Sequence, residues 1–170
     1  MQQLSAACPA RAISIGLANH RNYDAGVKDD YASSDTSGWI GFGLVVGGAS
    51  AGLGVGLDAL TAHLFSQRLG ARELATLATT ARYLLIHGLL LLLLATWLRT
   101  EPTSRLLKGA TILAATGIVL FCGGLTASVI SGLPALGAAA PCGGLALIAA
   151  WLACAIHGLT RGARNQTTIK

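Results

Sequence analysis

The chain has 170 residues, of which 53% are hydrophobic and only 11% charged, whereas a soluble domain carries about 25% charged residues. That is too little charge to solvate a globular surface, so the composition excludes an ordinary water-soluble enzyme. A net charge of +5 comes from twelve Lys and Arg scattered through termini and loops; without a basic run or aromatic-interleaved patch it implies no nucleic-acid partner and reads as a topology signal.

Residues 1–38 form a polar block of mixed charge, with Asp24, Lys28, Asp29, Asp30 and Asp35 followed by a Ser/Thr/Gly run that ends at Gly38. This composition predicts a mobile tail. Arg11 and Arg21 precede the first acid, weakly as in an organelle presequence, yet no basic amphipathic helix stands out. Cys8 has neither a basic segment nor an apolar stretch before it, so no cleavable signal is expected there.

From Trp39 onward the chain turns apolar. A helix crossing about 30 Å of hydrocarbon needs roughly 20 apolar residues, and four segments qualify: 39–64, 81–98, 106–130 and 138–159. The helix-favouring run Arg72–Ala78 allows the second to begin earlier, outside the bilayer. Backbone groups cannot face lipid unpaired, and the dyad alternation of an outer-membrane barrel is missing. The predicted fold is therefore all-α, an integral membrane bundle of four transmembrane helices over residues 39–160, with a short basic tail at 161–170.

Within a bilayer, helices associate through close packing rather than burial of apolar surface, so small residues mark contact faces. The first helix carries Gly48, Gly52 and Gly56 at i+4 spacing, with a second row of Gly43, Gly47 and Ala51. This pattern predicts that it is the central helix. The second is almost all leucine from Leu89 to Leu94, which predicts a largely lipid-facing surface. Gly117, Gly123 and Gly124 in the third helix, and Gly143 and Gly144 in the fourth, complete the expected packing set. Cys122, Cys142 and Cys154 sit in apolar stretches without metal-ligand spacing and read as small packing residues.

Positive charge orients the bundle. With four crossings, both termini and the loop between helices two and three share one side, which carries Lys28, Arg99, Arg105, Lys108, Arg161, Arg164 and Lys170. The other side carries Arg68, Arg72 and Arg82. The positive-inside rule places both termini in the cytoplasm of a bacterial inner membrane or, alternatively, in the matrix beside a mitochondrial inner membrane.

Four stretches in order, Val55 through His63, Arg82 through Leu89, Gly117 through Leu125, and Leu136 through Leu145 followed by Trp151, resemble the domain-of-unknown-function 423 family. This is a family of small four-helix bacterial membrane proteins that also includes the mitochondrial transmembrane protein 256. The resemblance spans about residues 43–159 and implies a fold and a membrane location but no reaction. Where the family has a glycine-rich run ending in Ala-His-Gly, this chain has Asp58, Thr61, and Leu64 after His63.

Ionisable side chains inside a span are expensive unless paired or hydrated. Counting from Trp39, Asp58 lies roughly 28 Å along the first helix, near the outer interface, with His63 just beyond. Helix two enters from that side, bringing Arg82 and Tyr83 to the border and His87 about two turns inside. Two readings stand for this outer group. Either Asp58 pairs with Arg82 while His63 and His87 face a ligand, a proton or a partner, or the pair is an interhelical ion pair and the histidines rest at headgroup depth. Asp58 and His63 are about 140° apart around one helix, so a shared metal ion is not expected. No phosphate loop, Gly-x-Ser-x-Gly elbow or His-Glu-x-x-His occurs, and neither a catalytic residue nor a cofactor is assigned. The expected role is a non-catalytic accessory or packing subunit, bound in the bilayer to other membrane subunits or to itself. The alternative is a small-solute or ion permease, or a channel-like oligomer, with the outer group as its mouth.

Overall fold

The computed structural model describes the backbone of residues 36–167 and the side chains as far as Arg161; the tail expected over 1–38, with Cys8, falls outside it up to residue 35. The described residues form four long helices and no strand: α1 (Thr36–Phe65), α2 (Ala71–Thr100), α3 (Arg105–Ser131) and α4 (Ala140–Thr167), the last preceded by a 3-10 turn over Pro134–Ala139. Each has a stretch long and apolar enough to cross a bilayer. The expected C-terminal tail is instead largely a continuation of α4, which runs on to Thr167.

Local chemistry sets the ends. α2 starts at Ala71, ten residues before its apolar stretch, because Arg72–Ala78 favours helix and Glu73 accepts a hydrogen bond of 2.9 Å from the Gly70 amide. Its 30 residues span about 45 Å, longer than the hydrocarbon layer. Ser104 caps α3, its hydroxyl accepting from the Leu107 amide at 3.4 Å. α3 stops at Gly132, whose φ of 68° is left-handed and open to glycine without strain. Short π-helical turns interrupt α1 at Thr61–Phe65 and α3 at Val119–Gly123.

The side-chain hydroxyls follow the rule for a medium without water. Thr76, Thr79, Thr80, Thr96, Thr111, Ser128 and Ser131 each donate to a carbonyl of their own helix, three or four residues back.

The central helix is α2, contrary to what its leucines and the glycines of α1 predict. In its most apolar stretch 44% of residues are buried, against 22% in each of the other three helices. Leu90, Leu91, Leu94 and Leu98 are buried among Leu107, Ala110, Ala114 and Ile118 of α3 and Leu147 and Ala150 of α4. Leucine therefore supplies the core and small residues bring the neighbours close. Leu53, Leu89, Leu93, Val119, Leu145 and Leu159 point outward as lipid-facing surface.

Of the two small-residue rows expected on α1, only the second, with Gly43, Gly47 and Ala51, meets α2. Gly48, Gly52 and Gly56 have nothing within 4 Å of where a β-carbon would stand. The face against α2 contains Gly43, Gly47 and Gly54 instead. A β-carbon on Gly47 would lie 2.8 Å from the Gly88 carbonyl oxygen, one on Gly54 2.8 Å from that of Ala81, and one on Gly43 2.9 Å from Ala95 Cβ. Gly88 returns the contact, since a β-carbon there would lie 2.6 Å from the Ala51 amide nitrogen. Gly43, Gly47, Ser50, Gly54, Leu57 and Thr61, the buried or half-buried stripe, alternate steps of four and three. That spacing keeps a stripe on one side of a helix crossing its neighbour at a shallow angle.

Of the other expected packing residues, Gly117 and Gly143 are true contacts. A β-carbon on Gly117 would lie 2.6 Å from Leu147 Cδ2, and one on Gly143 would collide with the Phe121 backbone. A β-carbon on Gly124 would lie 2.9 Å from the Leu136 carbonyl oxygen. Gly144 has only ordinary van der Waals contact with Phe121, and Gly123 meets nothing within 4 Å.

Candidate functional site

At the α1–α2 end, Asp58, His63 and Arg82 are all exposed, and among the described residues no ion pair joins Asp58 to Arg82. The angular position explains the separation. Arg82 lies about 200° before half-buried Leu84 and about 100° past buried Ala81, so it turns away from the helix interface. Asp58 lies just outside the buried stripe of α1 for the same reason. Sharing a depth in the membrane does not bring them together.

Tyr83 and His87 do meet. Their rings stack with centroids 5.4 Å apart, Tyr83 touches Phe121 at 4.7 Å, and His87 meets Trp151 edge-on at 6.3 Å. His87 is buried, and its Nδ1 lies 2.9 Å from the Tyr83 carbonyl oxygen. A carbonyl only accepts, so Nδ1 carries the proton. This aromatic row ties α2 to α3 and α4. No group of three or more His, Cys, Asp or Glu gathers among the described residues in a way that could hold a metal ion.

The polar constellation with real geometry lies at the opposite end, under the α2–α3 turn. Glu101 leaves α2 and is held between two residues of α4, His157 and Arg161. His157 Nε2 lies 3.1 Å from Oε2, and Arg161 Nε lies 2.5 Å from Oε1, with the carboxylate only 11% exposed. His157 Nδ1 is 3.3 Å from the Ser104 hydroxyl. That hydroxyl already accepts from the Leu107 amide, so its own proton points to Nδ1 and the imidazole proton sits on Nε2. The N–H does not line up with Oε2 well enough for a hydrogen bond, so the contact is electrostatic and Nε2 is enclosed without a hydrogen-bond acceptor. Trp97 closes the other side of the ring, edge-on at 5.0 Å.

Beside this cluster opens a pocket of about 450 Å³, lined by Thr103, Ser104, Arg105, His157, Thr160 and Arg161 among others. A second hollow, about 600 Å³ and apolar, runs between the halves of α1 and α3 remote from the α2–α3 turn, from Val46 and Ser50 to Gly56, Leu57 and Thr126. Sequence reasoning does not bring Glu101, Ser104, His157 and Arg161 together as a site. The available signal was the i, i+4 pair His157 and Arg161 on one face of α4, together with Glu101 as the sole acid in the loop that packs beside it.

Four apolar helices with self-satisfied hydroxyls and a lipid-facing leucine surface define a multi-pass membrane protein. The chain belongs to the family described as a protein of unknown function, DUF423, whose model matches residues 57–144, a narrower stretch than the 43–159 read from the sequence. It is similar to a UPF0382 membrane protein of Staphylococcus saprophyticus, 31% identical over 109 residues that cover 64% of this chain and 89% of that relative. No solved structure matches the chain.

Proposed function

We propose that this protein is a non-catalytic subunit of a membrane assembly, associating with neighbouring transmembrane helices along the outward face of α1. The observation that supports this is the division of α1 glycines into two sets. Gly43, Gly47 and Gly54 are filled by α2, while Gly48, Gly52 and Gly56 form a second i+4 row with nothing within 4 Å. In lipid, a row of small residues lets another helix backbone approach closely, and that approach is what drives association there. The row borders the apolar hollow between α1 and α3, which widens the surface a partner helix meets.

A permease built from one copy would need a polar path, and the axis of the bundle is occupied by Leu90, Leu94, Leu98, Leu107 and Leu147. The same proposal places the chain in a bacterial inner membrane with both termini on the cytoplasmic side, on the strength of Arg99, Arg105, Lys108 and Arg161 at the α2–α3 turn end.

The test pairs two substitutions. Gly52→Leu leaves the α1–α2 contact intact and abolishes co-purification of the partner, or of a second copy, in gentle detergent with native mass determination. Gly47→Leu unseats α2 and lowers the stability of the isolated chain itself. Undiminished association by the Gly52→Leu protein would refute the proposal.

A further inference from the structure

The pocket under the α2–α3 turn plays no part in association along α1, yet it has the features of a binding site. It lies at the end of the bundle that carries Trp97, the depth at which indole rings settle among headgroups. Its volume of about 450 Å³ is within the range of small-ligand sites, roughly 300–1,000 Å³. The first turn of α3, a 27-residue helix, opens into it. The Leu107 and Lys108 amides are taken up by Ser104, and those of Arg105 and Leu106 precede any carbonyl the helix supplies. Such a terminus with a guanidinium beside it favours phosphate over less charged groups.

An independent observation comes from α4. His157 lines the same pocket, is only 6% exposed, and holds an Nε2–H without an aligned hydrogen-bond acceptor, the Glu101 carboxylate 3.1 Å away lying out of line with it. A buried donor left in this state lowers its energy when an anionic oxygen comes into line with it. The carboxylate of Glu101 already sits between His157 and Arg161. It occupies, imperfectly, the place that an external anion would take.

We propose that this pocket binds a phosphate group, with Arg105, Arg161 and the α3 N-terminus as the recognising groups and Glu101 as an internal competitor. Two sources share that chemistry, an anionic lipid headgroup and free phosphate. Competition by Glu101 fixes a sign that a simple basic patch does not have: removing this acid strengthens binding.

The experiment uses the full chain in neutral detergent, titrated with phosphatidylglycerol and separately with phosphatidylcholine, with bound lipid counted by native mass spectrometry. Phosphatidylglycerol binds about tenfold or more tightly than phosphatidylcholine. The Arg105→Gln/Arg161→Gln protein, checked for helicity and monodispersity, loses that preference, whereas Glu101→Gln enlarges it. Inorganic phosphate at millimolar concentration separates the sources. Displacement of the lipid with a change in Trp97 fluorescence, whose ring touches His157, identifies the free ion as a ligand; retention of the lipid identifies the ester. Equal binding of the two lipids without any response to phosphate overturns the proposal. So does a phosphatidylglycerol preference that survives the double substitution, or one that falls in Glu101→Gln.

Discussion

Ser104 serves two neighbours at once, capping α3 through the Leu107 amide and facing Nδ1 of His157. Replacing it with alanine removes the cap and leaves a buried ring nitrogen unpartnered. Ser104→Ala is expected to lower stability by about 1 kcal/mol, the usual value of a lost N-cap, with faster amide exchange confined to the α2–α3 turn. Exchange rates unchanged at that turn would show that the hydroxyl holds nothing there. This cluster was poorly legible in the sequence because Glu101 and the pair His157 and Arg161 lie on different helices, and only the fold brings them together. Asp58 and Arg82 failed in the opposite sense. Their common depth was legible, but their angular positions depend on which side of α1 meets α2, and the two rows of small residues left that choice open.

For α1 the sequence offered two rows of small residues, and spacing of four is the more familiar sign of close contact. The row α2 uses follows steps of four and three, because helices that cross at a shallow angle stay in register only when the stripe drifts slowly around the helix. The leucines of α2 misled for a related reason. Leucine is equally at ease in lipid and in a packed core, so composition alone does not say which way it faces, whereas the number and approximate limits of the spans follow from length and hydropathy. The core position of α2 carries a sharp prediction. Leu94 is fully buried and Leu93 is 54% exposed, so Leu94→Ala costs about 2–5 kcal/mol through the cavity it leaves, while Leu93→Ala costs little because lipid fills the space. Reversible unfolding in mixed micelles measures both, and equal effects would remove α2 from the centre.

At the scale of the molecule, the α2–α3 turn end carries Arg99, Arg105, Lys108 and Arg161 against Glu101, and the opposite end Arg68, Arg72 and Arg82 against Asp58 and Glu73. The imbalance leads to an orientation that labelling tests directly. In a cysteine-free background, Thr103→Cys is expected to be shielded from an impermeant maleimide in intact cells, and Gln67→Cys to react. The reverse pattern would invert the topology and move the phosphate pocket to the outer surface.

Because the hydroxyls of Thr76, Thr80, Thr111 and Ser131 are satisfied by their own helices, none needs a neighbouring helix before it can enter hydrocarbon. Insertion and assembly are therefore separable stages in the life of the chain. A substitution such as Gly47→Leu gives rise to a fully inserted but loosely gathered molecule, whose fate is set by proteolytic surveillance within the membrane rather than by failure at the translocon.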